Sequence, residues 1–317
     1  MNKHLIIALA TSLSLAGLAS CGQPQTEVLF NGKDLSGWDV TGKAQVTGNI
    51  LQLYGPDTRL LLKNGDYTDF ELTLEARTIE GGQGSVAFHT DASGKGYSVA
   101  LDNNRQSAAW WRKTGSLLAV RNVVKSPAKD GEWFDMTIRV AGKSIMVKVN
   151  NDTLVEYIEP AAPFRLPAHE QELLSQGTIA LTADEGCVEF RSINLHQLDC
   201  SKDELARQQA NAQDEQADEI IRLHQQDFPV LDYHVHLKGG FTKEAAARQS
   251  RRLGINYAIA PNCGIGFPIT SDEGVYNFST PCARNPSCSP CKAKAGSGVP
   301  PSQKKPGNNL TTCLPMH

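Results

Sequence analysis

Between residues 26 and 198 apolar and polar positions alternate. Phe70, Leu72, Leu74 and Ala76 share one side of an extended segment, and Glu71, Thr73, Glu75 and Arg77 share the other, the period-two pattern of a half-buried strand. Met136, Ile138 and Val140 repeat it. Gly142-Lys143 then turns the chain into Ile145, Val147 and Val149, and Asn150-Asn151-Asp152 turns it again before Leu154, Val155 and Tyr157, which predicts a three-stranded meander. Shorter apolar runs at 85–88, 97–101, 117–120 and 178–181 add strands. Within 187–198 the apolar phase slips between Phe190 and Ile193, which predicts a β-bulge. Many short strands without a convincing helix predict a mainly β body, a β-sandwich of jelly-roll type over 26–198.

Beyond residue 198 the pattern changes. Residues 199–227 are polar and rich in Gln, Ala, Asp and Glu, with Ser201 and Glu204 spaced as a capping box and only Leu205, Ile220, Ile221 and Leu223 as apolar contacts. This predicts a connecting helix lying on a neighbouring surface. An apolar run from Phe228 then enters Leu231-Asp232-Tyr233-His234-Val235-His236, a helix is expected from Thr242 to Leu253 with Gly254 just past its end, and 255–260 reads as a second strand. That is the start of a βαβ unit, expected over 228–277. On an extended strand His234 and His236 share a face, so both imidazoles can reach one metal ion, with Asp232 beside them. A full site needs ligands from later strands, and no such strands are legible.

From Ser279 onward the chain has no aromatic and no acidic residue, and seven of its 16 prolines fall there. Cys282, Cys288, Cys291 and Cys313 make a weak match to zinc-ligand spacing. Residues 278–317 therefore read as a frame-shifted or truncated coding sequence, or as a genuine disordered tail. At the other end, Lys3 and His4 precede an apolar run from Leu5 to Leu18 that is short for a membrane span, followed by Leu18-Ala19-Ser20-Cys21-Gly22. Small residues before a cysteine resemble the lipobox of bacterial lipoproteins. The resemblance implies that 1–21 is a signal peptide, that Cys21 is lipidated, and that the protein is held at the lipid membrane of a bacterial cell envelope; an ordinary secretory signal leaving Cys21 a plain thiol is the alternative. A net charge of −3 and a pI near 6.2 make no case for nucleic acid. The eight cysteines are too unevenly spread for a disulfide framework over the whole chain.

Leu29-Phe30-Asn31-Gly32-Lys33-Asp34-Leu35-Ser36-Gly37-Trp38 resembles the opening signature of the 3-keto-disaccharide hydrolase domain, and Val188-Glu189-Phe190-Arg191-Ser192-Ile193-Asn194-Leu195 is similar to its final strand. The resemblance implies a concanavalin-like sandwich with a concave, sugar-facing sheet, no required cofactor, and cleavage of a glycoside oxidised at C3. There a base removes the C2 proton, a cation or donor steadies the enolate oxygen, and the C1 substituent leaves before water adds. Read as residues, Asn31-Gly32 and Lys33-Asp34 suit a turn, and Trp38 suits packing beneath a sheet edge.

His89 or Asp102 is the candidate base and Arg112 or Lys113 the candidate stabiliser, with Tyr97, Trp110 and Trp111 as substrate-binding aromatics. Of the adjacent tryptophans, one is expected in the core and the other facing out. Each position also has an ordinary reading: a satisfied histidine, a turn at Asp102-Asn103-Asn104, and solvated charge at Arg112-Lys113. Where family members often carry Glu and Gln after Gly-Tyr, this chain has Ser98 and Ala100, which raises the alternative of a carbohydrate-binding module. Residues 228–277 resemble the first units of amidohydrolase-like or PHP-type metal-dependent barrels. A divalent metal such as zinc is implied there only for a completed barrel.

Overall fold

The computed structural model describes residues 26–210, 215–237 and 240–262, together with 269, 271, 273 and 274. Cys21, the leader and the tail at 278–317 lie outside the described residues. Nine strands form the body: β1 (Thr26–Phe30), β2 (Trp38–Thr47), β3 (Ile50–Leu62), β4 (Phe70–Thr90), β5 (Tyr97–Asp102), β6 (Phe134–Ala141), β7 (Ser144–Val149), β8 (Asp152–Ile158) and β9 (Thr178–Gln197). All pair antiparallel, in the order β2-β3-β9-β4-β6-β7-β8, with β1 on β9 and β5 on β4. The protein is mainly β, a concanavalin-like sandwich made by one sheet folded over itself.

The fold-over is written in three long strands. β4 pairs with β6 along 70–76 and with β5 along 83–88, while β9 accompanies it through both halves. Between the halves the β4–β9 register slips from Ile79 to Gln83, and the β3–β9 pairing is interrupted between Tyr54 and Thr58. At this crossing the backbones come so close that side chains are excluded. A Cβ on Gly82 would lie 2.1 Å from the Cys187 carbonyl oxygen, and one on Gly186, which has φ +60°, would lie 2.8 Å from the Gly82 Cα. Gly55 on β3 meets the Glu185 backbone as closely, at 2.6 Å.

In β4 parity carries through the bend, whereas β3 and β9 each shift by one, from Leu51 and Leu53 to Leu60 and Leu62 and from Leu181 and Ala183 to Val188 and Phe190. Phe70, Leu72, Leu74 and Ala76 point inward before the bend of β4, and Val86 and Phe88 after it, so both halves feed one core with Leu51, Leu53, Leu60, Val99, Leu101, Ile138, Val147, Ile179, Leu181, Val188 and Phe190. Each fully buried side chain of this kind contributes about 1.5–3 kcal/mol. The expected meander is present, and Asn150 and Asn151 both have positive φ, the primed turn that a two-residue hairpin needs. The bulge is present as well, with Ser192 at φ 60°. Trp38 is buried and donates its indole N–H to the Leu29 carbonyl at 3.0 Å, while Asn31 Oδ1 accepts from the Lys33 and Asp34 amides, so the opening motif is a turn pinned under the sheet edge. The run at 117–120 is corrected: it is a turn flanked by single bridges at Leu117, not a strand.

The connector holds two helices rather than one, α1 (Lys202–Ala210) and α2 (Glu215–Gln225). Ser201 caps α1 through the Glu204 amide, and Gln208 bonds both the Lys143 amide and the Ala141 carbonyl at the β6–β7 turn. In α2, Ile221 is fully buried and His224 donates from Nδ1 to the Val120 carbonyl at 2.5 Å. A parallel pair follows, β10 (Leu231–Val235) and β11 (Asn256–Ile259), joined by α3 (Lys243–Leu253), with Thr242 as N-cap and Gly254 left-handed past its end, as its sequence requires.

Substituting Gly82 by alanine should lower unfolding free energy by at least about 3 kcal/mol, because backbone rather than a flexible side chain blocks the new methyl. Gly37→Ala, where nothing lies within 4 Å, should stay within about 0.5 kcal/mol of the parent. Urea denaturation of both variants measures the contrast.

Candidate functional site

The residues between the inward ones build a polar outer face, and strand register shows which of them are neighbours. On one side of the bend, Arg77, Glu189, Gln52 and Gln45 are successive partners across four strands. They hydrogen-bond in a line: Gln45 Nε2 donates to Gln52 Oε1 at 2.8 Å, Gln52 Nε2 to Glu189 Oε1 at 2.8 Å, and Arg77 Nε to Glu189 Oε2 at 2.8 Å. One row away, Arg191 donates to Glu75 at 2.7 Å, and the Arg77 and Arg191 guanidiniums lie 4.5 and 4.4 Å from the Trp133 ring.

Across the bend, Gln83 is the partner of both Asp102 on β5 and Glu185 on β9, and its amide donates to Glu185 at 3.0 Å. The next row reads Ala100, Ser85, Thr182, Arg59, with the Ser85 and Thr182 hydroxyls 2.9 Å apart; the one after reads Ser98, Ala87, Ala180, Leu61. Ser98 and Ala100, the two departures from the family pattern, therefore stand on this face and supply only small side chains to it.

Of the sequence-derived candidates, this face gathers Asp102 and Lys113. Lys113 Nζ lies 3.2 Å from Asp102 Oδ2 and donates to the Asn104 carbonyl at 2.7 Å, and Asp102 Oδ1 accepts from the Asn104 amide at 2.9 Å. Both side chains are about nine-tenths buried, so each charge depends on the other. The aspartate is thus also the expected turn.

His89 goes elsewhere. A register slip between Ala87 and Thr90 and a φ of 50° turn its ring into the sandwich against Phe70 and Phe88. Nε2 lies 2.9 Å from the Thr68 carbonyl and Nδ1 accepts from the Ser175 amide at 3.2 Å, which occupies both nitrogens and fixes the neutral tautomer with hydrogen on Nε2. Burial holds its pKa below the usual histidine range.

Tyr97 is fully buried on the inward side, where its hydroxyl donates to Glu159 Oε2 at 2.6 Å; Lys143, the Leu174 amide and Arg165 also pair with that carboxylate. The two tryptophans differ from expectation because their segment is a turn and not a strand: neither enters the core. Trp110 is 42% exposed, and Trp111 donates its indole N–H to Asp227, which also pairs with Arg112 at 3.3 Å. This ties the loop to the end of α2, and Arg112 acts electrostatically on Asp184 of β9. Arg77, Glu189, Gln52, Gln83 and Trp133 are outer-face residues that sequence reading missed. The signal for the four polar residues was present, as outward positions of β3, β4 and β9, but they become neighbours only once register sets the strands side by side; Trp133 stands just before β6.

On β10 the two imidazoles do converge, with Nε2 atoms 2.8 Å apart. Asp232 instead turns its carboxylate to the His234 amide at 3.1 Å, and among the described residues no group of three or more His, Cys, Asp or Glu is gathered for a metal ion. Two nitrogens are half of a zinc shell. The residues described do not fit a held metal, and no chemistry is routed through one.

Residues 25–196 match the family model described as the 3-keto-alpha-glucoside-1,2-lyase-like domain. Two structures described as candidate glycosyl hydrolases from Parabacteroides distasonis ATCC 8503 are similar to the chain. One has 19% identity and a TM-score of 0.48, covering 55% of this chain and 94% of its own. The other has 23% identity and a TM-score of 0.46, covering 55% and 100%. A carbohydrate-binding module, CBM66 from Bacillus subtilis, is similar at 15% identity and a TM-score of 0.39 over 51% and 96%. No curated protein matches the chain.

Two buried histidines give the fold a pH response. Burial depresses His89, and burial first of all lowers His224 from 6.5 to about 4. The unfolded chain takes up these protons at higher pH than the folded one, so stability is complete above the ordinary histidine value and declines as pH falls toward the folded values. For His224 the window runs from 6.5 to about 4 and is worth on the order of 3 kcal/mol. Urea midpoints at pH 7.5 and 4.5 should drop less in His224→Gln than in the parent; an equal drop removes this histidine from the account.

Proposed function

Because the chain belongs to the 3-keto-alpha-glucoside-1,2-lyase-like family over residues 25–196, we propose that its sandwich recognises a carbohydrate on the outer face of β5, β4, β9 and β3, and that recognition, not turnover, is its main work. Amides, carboxylates and guanidiniums set side by side suit sugar hydroxyls, and the exposed ring of Trp110 suits the C–H face of a pyranose. The observation that carries this reading is the state of the two candidate bases. His89 has both nitrogens engaged with backbone, and Asp102 has both oxygens engaged by Lys113 and Asn104. A base needs a lone pair open to the proton it removes; His89 has none, and the lone pairs left on Asp102 are open only once its buried pairing with Lys113 gives way.

A second reading has its own support. The Asp102 carboxylate and the Lys113 ammonium stand together, 3.2 Å apart, and are the two kinds of group that removal of a C2 proton and support of an enolate oxygen at C3 require. If substrate displaced Lys113 from the carboxylate, Asp102 would take the proton, Lys113 would hold the enolate oxygen, and the C1 substituent would leave. The setting we propose for either reading is a bacterial envelope lipoprotein anchored through Cys21, with residues 228–277 the beginning of a metal-dependent barrel.

Calorimetry on the full chain should detect glucosides and 3-keto-glucosides, with Trp110→Ala and Arg77→Ala each weakening binding roughly tenfold. Incubation with 3-keto-disaccharides should release no product. Turnover that disappears in Asp102→Asn would make the second reading the right one, and absence of both binding and turnover would sink both. For the anchor, Cys21→Ser should move the protein from the membrane to the soluble fraction of a bacterial host.

A further inference from the structure

The loop that follows β5 has two sides. To the outer face it gives the Lys113 ammonium, 3.2 Å from Asp102 Oδ2, and to solvent the ring of Trp110. Its other side meets the C-terminal segment, where His224 reaches the Val120 carbonyl and Arg121 the Arg252 carbonyl. Four consecutive residues divide between these sides. Trp110 and Lys113 serve the first, whereas Trp111 and Arg112 between them both turn to Asp227, just past the end of α2. Trp111 donates its indole N–H to Asp227 Oδ1 at 3.2 Å, and Arg112 Nη1 lies 3.3 Å from the same oxygen. The Trp110 ring stands edge-on to Trp111, with centroids 5.6 Å apart, so holding one ring orients the other.

Lys113 is fixed by bonds of its own: its amide donates to the Val123 carbonyl at 2.8 Å, and its carbonyl accepts from the Ser116 hydroxyl at 2.8 Å. Asp227 therefore bears on Trp110 more than on Lys113. The aspartate is itself set by α2. It sits in the left-handed region at φ 60°, and its amide donates to the His224 carbonyl at 3.0 Å, a helix-ending turn. Arg112 has a second carboxylate to choose. Burial holds the Asp184 carboxyl of β9 above the usual carboxylate range, and Arg112 is among the groups that oppose this rise. The guanidinium thus stands between a carboxylate of the sheet and one of the C-terminal segment, and Asp227 draws it away from the sheet. Both Arg112 and Asp227 are partly exposed, a setting in which an ion pair adds little stability, so the contact matters for placement rather than for folding.

We propose that Asp227 is a positioning residue for carbohydrate recognition: from the end of α2 it holds Trp111 and Arg112, and through Trp111 it sets the orientation of the Trp110 ring. Carbohydrate held against Trp110 and the seating of α2 then favour one another. The recognition half of this inference rests on the reading of the outer face given above; the latch itself does not.

Full-length protein carrying 5-fluorotryptophan tests the latch without a ligand. Asp227→Gly removes both bonds and suits the left-handed backbone. In it the fluorine resonances of Trp110 and Trp111 should shift, while those of Trp38 and Trp133 stay. Calorimetry with methyl α-D-glucoside and its 3-keto form should show roughly threefold to tenfold weaker binding in Asp227→Gly, and also in Trp111→Phe, which keeps a ring but deletes the indole N–H. In a Trp110→Ala background Asp227→Gly should cost nothing further. Glu219→Gln, which alters an exposed pair on α2, should leave both readouts unchanged. Unmoved Trp110 and Trp111 resonances, or a full additive loss in the Trp110→Ala background, would overturn the proposal. If neither sugar binds the parent, the reading of the outer face fails, and the fluorine shifts alone decide the latch.

Discussion

Everything in the body of this protein depends on letting three strands cross a single bend without side chains in the way. Gly82 and Gly186 face one another where β4 and β9 change direction, and Gly55 on β3 meets the β9 backbone beside them. β4 keeps its parity through the bend while β3 and β9 each shift by one position, so the inward sets of both layers meet in one core and the outward sets make the polar outer surface of each layer. Without that close approach the two halves would not share a core, and Gln83 would not stand between Asp102 and Glu185. The bend is at once a packing device and the reason for the site.

The same economy explains why the charged residues of the outer face are so thoroughly paired. Glu189 is nearly buried, and it survives there because Gln52 and Arg77 bond both of its oxygens. Asp102 is handled in the same way by Asn104 and Lys113. Such fixed, satisfied groups present a pre-arranged set of donors and acceptors, which favours recognition. Their burial and pairing also stand between a lone pair and any proton to be abstracted, and Ser98 and Ala100 add no carboxylate to the face.

How much of this was legible in the sequence varied with the range of the interaction. Turns written in local chemistry were readable: Asn150-Asn151 between β7 and β8, the Ser192 bulge, Thr242 and Gly254 around α3, and the Asx turn at Asn31. So was the alternation that makes the layers. His89 was misplaced because one left-handed residue at a register slip reverses a side chain's direction, and nothing local announces it. Tyr97 and the two tryptophans failed for related reasons. Tyr97 answers to Glu159, 62 positions away, and Trp111 to Asp227, 116 positions away. The outer-face rows were legible only as outward positions, since which outward residues meet is a matter of register across strands distant in sequence.

The C-terminal segment belongs in this picture as more than an appendage. Part of its attachment to the sandwich runs through one short turn: His224 reaches the Val120 carbonyl, Arg252 receives Arg121, and Asn256 donates to the Asn122 carbonyl at 3.2 Å. Three consecutive residues of the sandwich thus bond α2, α3 and β11 in turn. Apolar burial in that contact is modest, with Ile221 and Ala246 its fully buried members in α2 and α3, so polar matching carries much of the specificity. A loop that only closed the sandwich would have no use for a buried arginine, whose charge costs more to bury than an apolar side chain of similar volume. Arg121 is explained by what it joins: the Val120 carbonyl on its own turn and the Arg252 carbonyl at the end of α3, with the Tyr157 ring beside its guanidinium.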